Sequence, residues 1–256
     1  MCTPVPPTGH WHEDYERGRP GWPPEVLDVG GLPATATVLE VGAGTGKLTR
    51  LLVGRFDRVI AVEPDEAMRA LLSRRAPGAE VLAGAAEEIP RADASVDAVF
   101  VAEAFHAFDA DRAVAELGRV LRPQGLLVLM WNVPSGPTRP SIAAAEQFLL
   151  ARAPADLAYD PVDLNPRRYA SGEWLTPFAN SRFDELQEAR LPNPQTIDRE
   201  GVVAFFESMG WLGHLPESER LPVLEQVESL LNASEYHRSW ETHLYWSRLA
   251  GDGTSS

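Results

Sequence analysis

Three glycines, Gly42, Gly44 and Gly46, fall within five residues of VLEVGAGTGKLTRLL, Val38 to Leu52. They stand between an apolar run and a run with helical spacing. Glycine at this density lets backbone turn left-handed or pass close to a ligand. Such a loop serves a nucleoside triphosphate, a dinucleotide, S-adenosylmethionine, or a tight turn alone. A triphosphate loop requires G-x-x-x-x-G-K-[ST]. Val41 occupies its first glycine and Leu48 its hydroxyl residue, so the pattern fails. A dinucleotide loop requires G-x-G-x-x-G, and its third glycine falls on Lys47. A long side chain there obstructs the close helix–strand packing which that glycine serves. A turn alone needs one glycine with positive φ, not three.

The elements around the loop alternate in type. ATVLEVG is an apolar run bounded by glycine, the pattern of a buried strand. GKLTRLLVGRF follows with Leu48, Leu51 and Leu52 on one helical face. RVIAVEP is a second strand, stopped by Pro64. DEAMRALLSRRA is a helix, with Asp65 as N-cap and Glu66 in its first turn. AEVLAG and SVDAVFVAEA are the third and fourth strands. DADRAVAELGRVLRP is a helix that Pro123 and Gly125 are expected to end. GLLVLMWN is the fifth strand. Strand alternating with helix predicts an α/β, doubly wound, Rossmann-like sheet. Ligands of such sheets bind outside the carboxyl ends of the strands, where this glycine loop stands.

VLEVGAGTGKLT resembles the first motif of the class I S-adenosylmethionine-dependent methyltransferases. LAGAAEEIP is similar to the family's G-D-A-E-x-L-P loop through Gly84, Ala86, Glu87 and Pro90, with Ala85 in place of the aspartate. LGRVLRPQGLLVLMWN matches its L-R-P-G-G segment, with Gln124 replacing the first glycine and Gly125 keeping the second. YERGRPGWPP, Tyr15 to Pro24, resembles the signature Y-x-x-x-R-P-x-Y-P of a branch that includes relatives of trans-aconitate and quinone C-methyltransferases. The motifs cover about residues 11–135.

The resemblance implies a seven-stranded sheet, mostly parallel with one antiparallel strand, and S-adenosyl-L-methionine as cofactor. It implies that Glu40 helps position the cofactor's amino-acid end and that Gly42, Gly44 and Gly46 pass under methionine and ribose. Glu63, followed by Pro64, is to hold the two ribose hydroxyls, where an ionised carboxylate makes strong charge-assisted bonds. Met68 is to face the adenine, unless it is plain core. Backbone groups of Ala86 are to meet the adenine edge, with Glu87 beside it. His106, in EAFHAFD, is the candidate base or positioning residue, since imidazole titrates near neutral pH; a packed structural histidine is the alternative. Ala107 follows where many branch members carry Trp. Glu103 is an alternative base or a cofactor contact. Tyr15 and Arg19 either close over the cofactor, with Arg19 near a carboxylate, or form a surface ion pair.

Residues 1–36 read as an N-terminal arm with one short helix near Pro23, residues 37–133 as the cofactor-binding core. Residues 134–256 read as substrate-cap helices plus the last two strands, FDELQEARL and WETHLYWSRL, all in a single domain. The helices there are SIAAAEQFLLARA, DREGVVAFFESMG and ESERLPVLEQVESLL. Trp174, Phe178, Phe205, Phe206, Trp211, Tyr245 and Trp246 line an apolar cavity or fill core. His214, His237 and His243 lack metal-site spacing, so no metal is expected.

Composition bounds the partners. Asp plus Glu number 37 against 23 Lys plus Arg, a formal charge of −14. That charge disfavours nucleic acid and anionic membranes. The one cysteine, Cys2, can form no internal disulfide, and no apolar run reaches membrane-span length, so a cytoplasmic protein is expected. With no basic face or added recognition domain, a small-molecule acceptor is expected. Oligomeric state is left open. Two functions of other classes stay open: a Rossmann oxidoreductase using NAD(P), and a non-catalytic cofactor-binding homologue, for which Ala85 and Gln124 are the departures.

Overall fold

The computed structural model describes residues 11–155, 172–213 and 215–251. The expectations for Cys2 and His214 lie outside these residues. In chain order the elements are α1 (Trp11–Gly18), β1 (Thr37–Val41), α2 (Lys47–Arg55), β2 (Arg58–Val62), α3 (Glu66–Arg75), β3 (Ala79–Leu82), β4 (Val96–Ala102) and α4 (Ala110–Val120). There follow β5 (Leu121–Pro134), α5 (Pro140–Leu150), β6 (Gln187–Pro192), β7 (Gln195–Asp198), α6 (Arg199–Glu207), α7 (Gly210–Gly213), α8 (Glu217–Leu230), β8 (Glu235–Arg238) and β9 (Trp240–Arg248).

The residues group into two compact units. The larger comprises Trp22–Asn132, Ser171–Leu191 and Thr242–Ser256. The smaller comprises Met1–Gly21, Val133–Ala170 and Pro192–Glu241.

The larger unit is built on the seven-stranded sheet, in the order β3-β2-β1-β4-β5-β9-β6. β1 pairs in parallel with β2 and β4, β2 with β3, and β4 with β5. β9 runs antiparallel to β5: Leu249 bonds both Gly125 and Gln124, and Thr242 bonds Asn132 at the other end. The apolar runs behave as doubly covered strands should. Every residue of β1 is buried, as is Leu126 to Trp131 of β5. One core cluster unites Leu48 and Leu52 of α2 with Val38, Phe100, Val128 and Met130 of the sheet. Asp65 caps α3 by accepting from the Met68 amide at 2.8 Å, as its position predicts.

Two expectations need correction. α4 ends at Val120, before Pro123, and β5 begins at Leu121 with no loop between. The pairing of β4 with β5 shifts register between Val96 and Ala98, and Gln124 takes φ +64, so the strand absorbs Pro123 and Gly125 rather than starting after them. The arm also carries more structure than expected. Besides the 3-10 turn Pro24–Leu27 it holds α1.

In the smaller unit α5, α6 and α8 enclose a second core of Ile142, Leu149, Phe205, Phe206, Leu212, Val227 and Tyr236. β7 and β8 form an antiparallel pair that the sequence did not announce. Asp198 caps α6 through the Gly201 amide at 2.7 Å.

Candidate functional site

The carboxyl ends of β1, β2 and β4 bring the larger unit's acids and glycines together. The amides of Gly42 and Ala43 both donate to the Val62 carbonyl, at 2.9 and 3.1 Å, which pins the glycine loop to the end of β2. All three loop glycines have positive φ. Their surroundings differ. A Cβ on Gly42 would stand 2.6 Å from the Ala104 Cβ, and one on Gly46 would stand 2.7 Å from Leu72 Cδ1. Those two glycines are needed for packing. At Gly44 the nearest atom would be Met68 Sδ, at 3.8 Å, an ordinary contact, so packing alone does not require this glycine. Gly46 caps α2 with no side-chain bond.

Glu63 is 6% exposed and bridges two backbone segments. Its carboxylate accepts from the Gly44 amide at 2.8 Å and from the Asp65 amide at 2.9 Å. Burial pushes its pKa above the ordinary carboxylate value, while the two amides pull the other way. Glu40, 1% exposed, accepts from the Thr49 hydroxyl at 2.5 Å. Burial pushes its pKa up to about 8, with the Thr49 bond and Arg50 opposing and the Glu63 charge adding to it. Two buried acids one strand apart, each raised, mark a place built around charge.

The exit of β4 packs on the same loop. His106 lies in the 3-10 turn Phe105–Ala107 between Ala104 and Phe108, the two residues nearest a Cβ on Gly42. Glu103 opens that turn at φ +52, a strained conformation for a residue with a side chain. Its carboxylate accepts from the Asn132 amide at 2.6 Å. Met68, half-buried, stands over Gly44 rather than in the core. Ala86 is buried after β3. Glu87 accepts from the Asp109 amide at 2.7 Å and so holds the start of α4. Pro64 carries the chain from Glu63 into α3, and its carbonyl accepts from Arg69.

Tyr15 and Arg19 belong to the smaller unit. Arg19 donates to the Ser208 hydroxyl at 2.7 Å and to the Ser208 carbonyl at 3.1 Å, and its guanidinium lies over the Tyr15 and Phe205 rings. Arg17 of the same segment makes surface ion pairs with Asp198 and Glu200. Six of the seven aromatics expected around a cavity divide between two clusters, and the seventh, Trp246, packs against the core beneath the large sheet. Trp174, Phe178 and Tyr245 pack with Trp131 and Phe105 in the larger unit. Phe205, Phe206 and Trp211 fill the smaller unit's core. A cavity of about 580 Å³ lies at the opposite, amino end of β5, lined by residues including Asp93, Asp111, Arg119, Arg182 and Phe183. Gln124 is at that end too, so this departure from the family pattern does not touch the glycine loop.

Two side chains escaped the sequence reading. Thr49 sits one turn into α2 beneath Glu40, and its spacing from Gly46 was the available signal. Asn132 is a buried amide closing an apolar strand, and its side-chain oxygen accepts from Thr242 at 2.7 Å. Among the described residues no group of His, Cys, Asp and Glu could hold a metal. No helix of these residues is long and apolar enough to cross a membrane.

Comparison with known proteins bears on the loop's ligand. A methyltransferase-domain family matches residues 39–129. An uncharacterized methyltransferase of Mycobacterium tuberculosis is 55% identical over 119 residues, 46% of this chain. The match spans about half, 49%, of that relative's own length. A protein from Anaeromyxobacter dehalogenans, named as a candidate type II methyltransferase, has a solved structure with TM-score 0.64 and 26% identity. That likeness covers 91% of this chain and 99% of the other. An uncharacterized methyltransferase-like protein of Schizosaccharomyces pombe is 31% identical over 222 residues, 85% of this chain and 82% of its own. An identity of that extent, over a sheet with this strand order, shows the family: the chain belongs to the class I S-adenosylmethionine-dependent methyltransferases.

Proposed function

We propose that this protein moves the methyl group of S-adenosyl-L-methionine to an oxygen, nitrogen or carbon of a small-molecule acceptor. The observation that carries the reading is the buried Glu63 carboxylate bonded to the Gly44 amide of the glycine loop. Each oxygen accepts one amide and keeps lone-pair capacity, which suits two neighbouring ribose hydroxyls. Gly44 brings bare backbone up to the Glu63 carboxylate, and a long side chain there would crowd that place.

The bound cofactor supplies a methyl already activated by its sulfonium. The chain's residues supply the rest. Glu63 and the glycine loop would hold the ribose, Met68 and the Ala86 backbone the adenine, and Glu40 the amino-acid end. Alignment for in-line displacement contributes roughly 7–11 kcal/mol of the barrier reduction. His106 would take the acceptor's proton as the acceptor bonds to the methyl carbon and the carbon–sulfur bond breaks, an effect worth about 10²–10⁴-fold. Glu103, held by the Asn132 amide, braces the turn that carries His106. The signature around Tyr15 and Arg19 supports the branch with trans-aconitate and quinone C-methyltransferase relatives. The charge of −14 favours a small molecule over nucleic acid, and a cytoplasmic setting fits the composition.

The test supplies methyl-labelled cofactor with a whole cell extract, which is then separated into small molecules, protein and RNA. Label entering a low-mass compound with the native protein, and not with Gly44→Arg, supports the reading. Label entering only protein or RNA contradicts it.

A further inference from the structure

The cavity at the amino end of β5 lies wholly within the larger unit and away from the glycine loop. Its volume of about 580 Å³ is of the size that holds a small organic ligand. β4 separates the two places. Val96 at one end of that strand pairs with Leu121, which lines the cavity, and Ala102 at the other leads into the turn of His106. The strand between them is roughly 20 Å long at the usual rise per residue. A molecule in the cavity is therefore too far away to receive a methyl group from the glycine loop.

The cavity runs along one side of α4. Asp111, Val114, Ala115 and Gly118 line it, and their spacing of three and four residues sets them in one stripe. Its apolar lining also includes Leu121, Phe183 and Leu249, all buried. The wall is fixed by the chain itself. Ala94 stands at φ +47, and its amide donates to the Arg119 carbonyl at 2.9 Å.

The charged groups decide what would fit. Arg119 has no donor left for an anion. Its five N–H groups go to the Glu116 carboxylate twice, to Asp93, and to the carbonyls of Ile89 and Arg91. Arg182 is engaged as well. Asp93 is balanced by Arg119 at 2.7 Å. Asp111 is balanced by nothing: among the described residues it makes no hydrogen bond or ion pair. An uncompensated carboxylate at one end of an apolar stripe suits a ligand with an apolar body and an ammonium end. The chain's charge of −14 draws cations and repels anions.

We propose that this cavity binds a small organic amine as a second ligand, its apolar body along α4 and its ammonium on Asp111. The proposal does not rest on the methyl-transfer reading.

The test uses the full chain and calorimetry. Tryptamine and 4-phenylbenzylamine are titrated against the matching alcohols, with spermidine as a cation that lacks an apolar body. The native protein is expected to bind at least one of the two amines at least tenfold more tightly than its alcohol, and more tightly than spermidine. Saturating S-adenosylhomocysteine should leave that affinity within twofold. Ala115→Trp fills the cavity from an exposed helix position and should weaken the amine at least tenfold. Asp111→Asn should erase the preference for amine over alcohol. Both variants should keep the native affinity for S-adenosylhomocysteine. If Ala115→Trp misfolds, Ala115→Arg takes its place and sets a like charge in the cavity. Binding of neither amine overturns the proposal, as does equal binding of amine and alcohol, or of amine and spermidine. Unchanged amine binding in either variant overturns it too. Displacement by S-adenosylhomocysteine would put the amine at the glycine loop and overturn the second site. Amine binding that both variants weaken, in a protein that binds no S-adenosylhomocysteine, would uphold the cavity and count against methyl transfer alone.

Discussion

The Gly44 amide donates to the Glu63 carboxylate at 2.8 Å, and this bond ties the loop after β1 to the acid that ends β2. The glycine loop and the acid that would grip a ligand are thus held in one geometry. Replacing Glu63 by Ala removes that grip and loosens the loop. Charge-assisted hydrogen bonds contribute about 1.5–3 kcal/mol each, so losing two lowers affinity for S-adenosylhomocysteine roughly 100-fold or more. Calorimetry on Glu63→Ala and Glu63→Gln checks this; an unchanged Kd in both would remove Glu63 from the site.

The three glycines should separate by function. Gly44→Ala meets only Met68 Sδ, so its stability loss comes from φ +56 alone, about 1–2 kcal/mol. Gly46→Ala adds a 2.7 Å clash with Leu72 and should melt lower than Gly44→Ala. Gly44→Arg should fold and fail to bind cofactor. Thermal melts and binding on the three variants decide it; full cofactor binding by Gly44→Arg would sink the glycine-loop assignment.

Much of this was readable before any coordinates, and for a physical reason. The βαβ alternation, the loop at a strand's carboxyl end and the Asp65 cap are local patterns, set by periodicity and by neighbours a few residues away, whereas Glu40 and Glu63 stood out only through the family resemblance. What was not readable depends on distant partners. Glu87 holds Asp109, Arg19 holds Ser208 189 residues away, and Glu103 meets Asn132 from the next strand. β7 and β8 are four residues each, too short for their alternation to stand out. The junction of α4 and β5 was misplaced because Pro123 and Gly125 usually end elements, whereas here a register shift carries the strand through them.

Glu40 gives the fold a pH dependence of known sign. Its pKa rises from 4.5 in the ordinary case to about 8 in the folded protein. The folded state therefore keeps a proton that the unfolded chain has lost. This group's stabilisation is complete below pH 4.5 and is lost as pH rises toward 8. Glu40→Gln cannot titrate and should flatten the fall in stability across that window. Denaturant midpoints measured near both ends check it; parallel slopes in native and variant would show that Glu40 is ionised in the fold.

His106→Ala should lower kcat on the true acceptor by about 10²–10⁴-fold while leaving cofactor affinity nearly intact. An unchanged kcat would leave His106 as a packing residue and shift attention to Glu103. A fall in kcat for His106→Ala that a more acidic acceptor relieves would mark proton removal as the step concerned.

The central claim is that the glycine loop and Glu63 hold a sulfonium nucleoside. The direct measurement is calorimetric titration of the native protein with S-adenosylmethionine and S-adenosylhomocysteine, with NADH as control. The account predicts micromolar binding of both sulfur nucleosides, lost in Gly44→Arg, and no binding of NADH. Binding of NADH alone would contradict it, and would mean that the G-x-G-x-G spacing had been misread.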